Sequence, residues 1–287
     1  MSKLLKIGLV LMLVSGTVRA AFVTIGDAGN AADTTGYGAV GYEYKISDHE
    51  VTIAEFQQAT GVGDGDEGYW NDGTRTVGAS APASYVSLLE AMKYCNWLTS
   101  GNVDQGAYSV NESGDGFFSV NRNVALATYG IIYVLPTENE WYKAAFYTGN
   151  LSDPWSLYAN GTDVDPIYGT AEGWNYGFVN SSPNYTWITG YGGEEQNGTY
   201  DMMGNVWEWV EDSSDVLRGG NYTSHAIELS SSEDGRADSN GSTYEHRTVG
   251  FRVAMVPEPS TVLLFGIGGA GAWLLRRNRM KAQKEAE

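Results

Sequence analysis

Thiols are almost absent from this chain: its 287 residues include one cysteine, Cys95. A lone cysteine forms no internal disulfide and supplies no thiolate cluster for a metal. The fold must therefore be held together by packing. Histidine is also scarce, and His49, His225 and His246 lie far apart, with no spacing that suggests a shared metal. Basic charge is the third shortage, with 17 lysines and arginines against 35 acids and a formal net charge of −18. That balance excludes nucleic acid and anionic lipid surfaces as partners. It suits a soluble exported protein or one that attracts divalent cations. No internal repeat is visible, and no linker interrupts the middle of the chain. Long apolar runs are few as well: the one ending at Leu275 is about 15 residues, short against the roughly 20 of a complete crossing but near membrane length, and it reads as the membrane span of the C-terminal segment.

Both ends carry addresses. Lys3 and Lys6 precede an apolar core over residues 7–14, and Val18-Arg19-Ala20 places small residues where a signal peptidase reads. Residues 1–20 are thus predicted to be a secretory signal cut after Ala20. At the other end, Val256-Pro257-Glu258-Pro259-Ser260-Thr261 leads into the apolar run, and Arg276-Arg277-Asn278-Arg279-Met280-Lys281 closes it. The basic cluster belongs on the cytoplasmic side, which leaves everything before it outside. Residues 256–287 resemble a PEP-CTERM sorting tail. The resemblance implies an exosortase-type protease as partner, cutting near Pro-Glu-Pro. It also implies a destination in the cell envelope or extracellular matrix, with transient membrane anchoring before processing. An ordinary C-terminal anchor is the alternative. The exported piece, residues 21–255, is of ordinary single-domain size and carries a charge near about −23 once both ends are removed.

The chain holds 37 glycines and 13% aromatic residues, which points to a loop-rich fold with large rings filling gaps between irregular segments. A strand is predicted at residues 42–46, and a short helix at 53–59 capped by Thr52. Residues 86–99 form the strongest helix, with Leu89, Met92, Tyr94 and Trp97 near helical spacing and Gly101 after the end. Cys95 falls inside that pattern and reads as a small buried apolar side chain. Thr137 and Glu140 have capping-box spacing and open a third helix within residues 135–145. Short strands are expected at 206–210 and 251–255. Residues 26–41, 61–78 and 148–198 read as loop.

Three segments resemble one family: Leu135-Pro136-Thr137-Glu138-Asn139-Glu140-Trp141, Tyr200-Asp201-Met202-Met203-Gly204-Asn205-Val206-Trp207-Glu208-Trp209, and Leu217-Arg218-Gly219-Gly220-Asn221-Tyr222. Gly250-Phe251-Arg252-Val253-Ala254 closes the set, and Glu50-Val51-Thr52 and Tyr94-Cys95-Asn96-Trp97-Leu98 agree with it. The order and spacing resemble the sulfatase-modifying factor, or formylglycine-generating enzyme, domain. This implies an α+β fold, a variant of the C-type-lectin-like fold, with few helices, short antiparallel strands and bound calcium. The family's enzymes oxidise a sulfatase cysteine to formylglycine with copper held by two cysteines after the Arg-Gly-Gly motif. Here those places hold Ser224 and Leu229, and neither offers copper(I) a soft thiolate. No copper and no formylglycine synthesis are therefore expected. A related branch binds iron through three histidines in an extra helical domain, which this chain does not match. His225, beside Ser224, is the histidine nearest the family's active-site position.

For calcium, the matching positions are Asp201, the carbonyls of Gly204 and Val206, and Glu208, a set of hard oxygens around a tight turn. The alternative is that Asp201 and Glu208 cap a turn and pair with Arg218 or Arg252. A second calcium site would begin at Asn175-Tyr176, but its later aspartate is not evident within residues 180–193. The resulting expectation is an exported, non-catalytic protein that binds a saccharide, peptide or matrix polymer. Aromatic rings and carboxylates within residues 174–191 are its candidate contacts, with packing as the alternative for each ring. Two other readings compete: a formylglycine-generating-type oxidoreductase acting on sulfatases, and a purely structural matrix protein.

Overall fold

A computed structural model of the chain describes residues 21–59, 61, 78–111, 118–169, 173–177, 186, 188–211, 216–232, 235–239 and 241–257. The predicted signal at 1–20, most of the loop at 61–78 and the sorting tail beyond residue 257 lie outside the described residues. Four helices are described: α1 (Ile53–Phe56), α2 (Leu88–Ser100), α3 (Arg122–Tyr129) and α4 (Glu138–Phe146). Three of them open with a capping box, at Thr52/Glu55, Ser87/Glu90 and Thr137/Glu140. In each, the hydroxyl accepts from the third helical N–H while the glutamate reaches back to the cap's own N–H. α2 stops at Gly101, which is left-handed at φ 80°, a conformation that favours glycine. α1 is shorter than the predicted 53–59, because after Phe56 the chain continues only as turns.

The strands form two four-stranded sheets and one hairpin. The first sheet runs β1 (Phe22–Ile25), β2 (Tyr44–Ser47), β10 (Ala254–Pro257), β5 (Ile131–Val134), with every neighbour antiparallel. The second runs β8 (Arg236–Asp238), β7 (Val216–Arg218), β6 (Trp207–Trp209), β9 (Val249–Gly250), with β6 and β9 parallel. β3 (Tyr108–Val110) and β4 (Phe118–Val120) make the hairpin. The architecture is α+β. α2 packs on β3 and β5, with Met92 and Cys95 fully buried. Burial pushes the Cys95 thiol well above its ordinary value, so it is an inert core group.

The single strand predicted at 251–255 is instead divided. Val249–Gly250 pair with β6 in the second sheet, while Ala254–Pro257 lie between β2 and β5 in the first. Residues 251–253 cross from one sheet to the other. The carbonyls of Phe251 and Val253 accept from Val51 and Ser47 at 2.9 and 2.8 Å during the crossing. Arg252, at its centre, is fully buried. Its Nε donates to Glu208 Oε2 at 2.6 Å and its second amino group to Glu208 Oε1 at 2.6 Å. Trp141 Nε1 of α4 donates to Glu208 Oε2 at 2.7 Å. This cluster ties the two sheets to α4. Arg252→Met would leave Glu208 buried without its cation and should cost about 3–5 kcal/mol in urea unfolding. A loss below about 1 kcal/mol, the range of an exposed ion pair, would show that the cluster does not join the sheets.

Candidate functional site

The positions of the family's thiols come together beneath the turn after β7. Gly220 is left-handed at φ 74°, and a Cβ there would stand 2.4 Å from Leu229 Cδ2 and 3.4 Å from the Cβ of Ser224. Ser224 Oγ accepts from Asn221 N–H at 3.1 Å, and its carbonyl accepts from Gly177 N–H at 2.9 Å. Leu229 closes a 3₁₀ turn, Ala226–Leu229, and is fully buried. A hydrogen-bonded hydroxyl and a packed isobutyl group thus occupy the pair. His225 is exposed and begins that turn, its N–H donating to Glu228 Oε2 at 2.7 Å. His49 and His246 bond elsewhere, to the Glu50 carbonyl and to Thr248 Oγ1, each at 2.7 Å. Among the described residues, no group of three or more His, Cys, Asp or Glu side chains is arranged to hold a metal.

The oxygen-rich turn lies deeper. Asp201 and Asn205 adopt φ of 59° and 56°, a left-handed backbone rare for residues with a side chain. Gly204, at φ 90°, has no room for a Cβ, which would meet the Asn175 carbonyl at 2.3 Å. The sequence-predicted carboxylates then part company. Glu208 is the partner of Arg252 and Trp141, so both its oxygens are engaged, as in the alternative of a turn held by an ion pair. Arg218 instead donates to Glu138 Oε1 at 2.8 Å. Asp201 Oδ2 accepts from Gly190 N–H at 2.6 Å, while Oδ1 is buried with no hydrogen-bond partner.

Glu50 is the neighbour that the motif reading did not include in the site. Its carboxyl lies close enough to that of Asp201 for each charge to act on the other. Glu50 Oε1 accepts from Asn205 Nδ2 at 3.1 Å, and Oε2 has no partner. Burial, then the charges of Asp201 and Glu208, push the Glu50 carboxyl well up. Burial also raises Asp201, against the opposing pull of the Gly190 N–H and Arg252. Two facing carboxyls with orphaned oxygens must share a proton or a cation. The oxygens at the turn fit a hard dication on this ground, with Asp201 and Glu50 as the available carboxylates.

Glu195 completes the cluster. It receives Trp174 Nε1 at 3.2 Å, Thr199 Oγ1 at 3.0 Å and Met202 N–H at 3.2 Å. Trp174 and Tyr176 are both buried, and the Tyr176 hydroxyl donates to the Pro166 carbonyl. These rings, named above as candidate contacts, are therefore packing. Tyr191, about half exposed, remains at the surface. Burial lifts the Glu195 carboxyl to about 8, whereas an exposed glutamate titrates near about 4.3. The folded chain thus keeps a proton that the unfolded chain loses across that window, and stability falls as pH rises through it. The slope from this one group approaches about 1.4 kcal/mol per pH unit. Glu195→Gln should remove it in urea unfolding compared between about pH 5 and pH 7.5. Identical slopes in the two proteins would mean that Glu195 is ionised in the fold.

Comparison with known proteins agrees with this architecture. The sulfatase-modifying factor enzyme 1-like domain matches residues 23–256, and the PEP-CTERM protein-sorting motif matches residues 256–279. Treponema denticola variable protein 1 superposes with a TM-score of 0.58 at 22% identity, covering 85% of this chain and 97% of its own. CarF does so with a TM-score of 0.58 at 19% identity, covering 83% and 98%. At such identities the likeness is one of fold. "Chaperone protein LppX" of Paenibacillus barcinonensis is 25% identical over 225 residues, 69% of this chain and 76% of that protein. The sorting motif marks the chain for export and envelope sorting by an exosortase. From the turn after β7, the Gly-Asn-Val-Trp-Glu-Trp strand and the match across residues 23–256, this chain belongs to the sulfatase-modifying factor enzyme 1-like family.

Proposed function

We propose that the exported domain is a non-catalytic binding member of its family, held at the membrane by its C-terminal segment until the tail is processed. The observation that carries this reading is the pair Ser224 and Leu229, side by side around Gly220 where the family's enzymes hold copper. A neutral hydroxyl binds copper(I) weakly and a leucine not at all. Cys95 offers no substitute, being sealed in the α2 core. The purified domain, given a sulfatase-motif peptide, copper and a reductant, should leave the peptide cysteine unchanged by mass spectrometry. Formylglycine above the protein-free blank would establish the oxidoreductase reading instead.

Calcium at the Asp201 turn is part of the same reading. Asp201 and the carbonyls of Gly204 and Val206 supply oxygens, and Glu50 supplies the second carboxylate because Glu208 is committed to Arg252. Calcium takes six to eight hard oxygens, so water would complete the shell. The ion would neutralise two carboxyls that otherwise hold a proton between them. A ligand present at about 100 times its dissociation constant adds roughly 2.7 kcal/mol to the folded state. For a domain of this size that is about 5–10 °C in melting temperature. Chelator should lower the wild-type melting temperature by that amount, and Asp201→Asn and Glu50→Gln should respond little. Equal melting with calcium and with chelator would assign the pair to a shared proton.

A further inference from the structure

We propose that an open cavity on the face formed by residues 31–35 and 153–163 binds a neutral saccharide, deepening the binding reading above. The cavity measures about 700 Å³, within the range of small-molecule sites. Asp33, Tyr147, Trp155, Asp163 and Ser232 are among its walls. Neither Ser224 nor Leu229 borders it, so it is separate from the family's redox position.

Three features select the ligand. The first is a fixed ring. Trp155 packs edge-on against Tyr147 at 4.9 Å between centroids and tilted against Tyr142 at 5.5 Å. It also lies over Gly38, where a Cβ would stand 2.2 Å from the indole. Gly38, left-handed at φ 90°, leaves the space that the indole fills, and the indole remains half-buried on the cavity wall. The C–H face of a pyranose suits such a platform.

The second feature is charge. Among the described residues, no lysine or arginine lines the cavity, whereas Asp33, Asp153 and Asp163 do. This excludes phosphate, sulfate and uronic-acid ligands. The third is how those acids are held. Asp33 accepts from Thr34 N–H at 2.6 Å, from Thr35 Oγ1 at 3.3 Å and from the Tyr142 hydroxyl. Asp163 Oδ1 accepts from Leu157 N–H at 2.8 Å. These carboxylates are oriented and partly offset by protein donors, which suits acceptance of sugar hydroxyls better than capture of a bare cation. Thr34 Oγ1, which donates to Asp33 Oδ1 at 3.2 Å, and Ser232 Oγ, which bonds Ser230 Oγ at 2.7 Å, keep acceptor capacity on the cavity wall.

The test is glycan-array and calorimetric binding by the exported domain. The probes are neutral glucan, mannan and galactan oligosaccharides, a polyuronic acid, and hexalysine. A neutral oligosaccharide should bind and change the tryptophan fluorescence. Ser232→Tyr, which fills the cavity from its rim, and Trp155→Ala should each weaken binding at least about tenfold. Tyr129→Ala, at the exposed end of α3, should leave it unchanged, and Tyr191→Ala reports on the separate 188–191 surface. Circular dichroism and melting of Ser232→Tyr keep the result independent of any unfolding of Trp155→Ala. Binding of hexalysine alone, blocked by Ser232→Tyr, would overturn the saccharide assignment while leaving a ligand-binding protein. Absence of binding to every neutral glycan, or loss confined to Tyr191→Ala, would overturn the site. Neither result bears on formylglycine formation, which tests the non-catalytic reading separately.

Discussion

The buried contact of Glu208 with Arg252 and Trp141 is the constraint on which the rest of the structure hangs. Taking a carboxylate and a guanidinium out of water costs several kcal/mol per ion unless hydrogen bonds replace the lost hydration. Here they do. Beyond its fork onto Glu208, Arg252 donates to the carbonyls of Ser47, Asp48 and Tyr200. One side chain therefore closes the end of β2, the approach to the Asp201 turn and strand β6. The division of the last strand between two sheets follows from this, because the chain must cross at Arg252 to deliver it.

Helix α4 extends the same logic outward. Glu138 at its start receives Arg218 and Arg236. Glu140 closes the capping box and takes Arg122 at 2.9 and 3.0 Å. Asn139 accepts from Gly38 N–H at 2.8 Å, beneath the Trp155 platform. Lys143 Nζ donates to the carbonyls of Gly26 and Asp27 at 2.6 and 2.9 Å. A chain short of basic residues has placed Arg218 and Arg252 inside and Arg122 part-buried, each against glutamate. Glu50, Asp201 and Glu195 are left without such a fork, and burial raises all three carboxyls. That imbalance makes the Asp201 turn the electrostatically unsettled part of the interior.

The family scaffold is thus retained, and the positions that the motif spacing matches to its copper-binding cysteines hold Ser224 and Leu229. The fold keeps the turn after β7 because Gly219 and Gly220 still have to pass Trp141 and Leu229 closely. On the non-catalytic reading proposed above, fold and chemistry separate at this point, as expected when function resides in sites carried by a scaffold. The aromatic content divides in the same way. Most rings fill gaps between irregular segments, and Trp155 is held where it also faces a cavity.

Local chemistry was legible in the amino-acid order. The cap at Thr52, the capping box at Thr137, the end of α2 at Gly101 and the inert placement of Cys95 each depend on hydrogen bonds or periodicity within a few residues. The family and the sorting motif were legible too, because motif order survives low identity. α3 and the β3–β4 hairpin gave weak local signals, and their place comes from packing. Which acid pairs with which base could not be read. Glu208 had Arg218 and Arg252 as equal candidates, and Glu50 stood far in sequence from Asp201. The choice is made by the sheet crossing, which brings Arg252 to Glu208 and leaves Glu50 facing Asp201. Sequence alone determined the caps at Thr52 and Thr137, the stop of α2 at Gly101, the family and the lone cysteine. Tertiary structure decided the ion pairs, the orphaned carboxyls and the cavity, because burial and long-range contact set the partners of every buried charge.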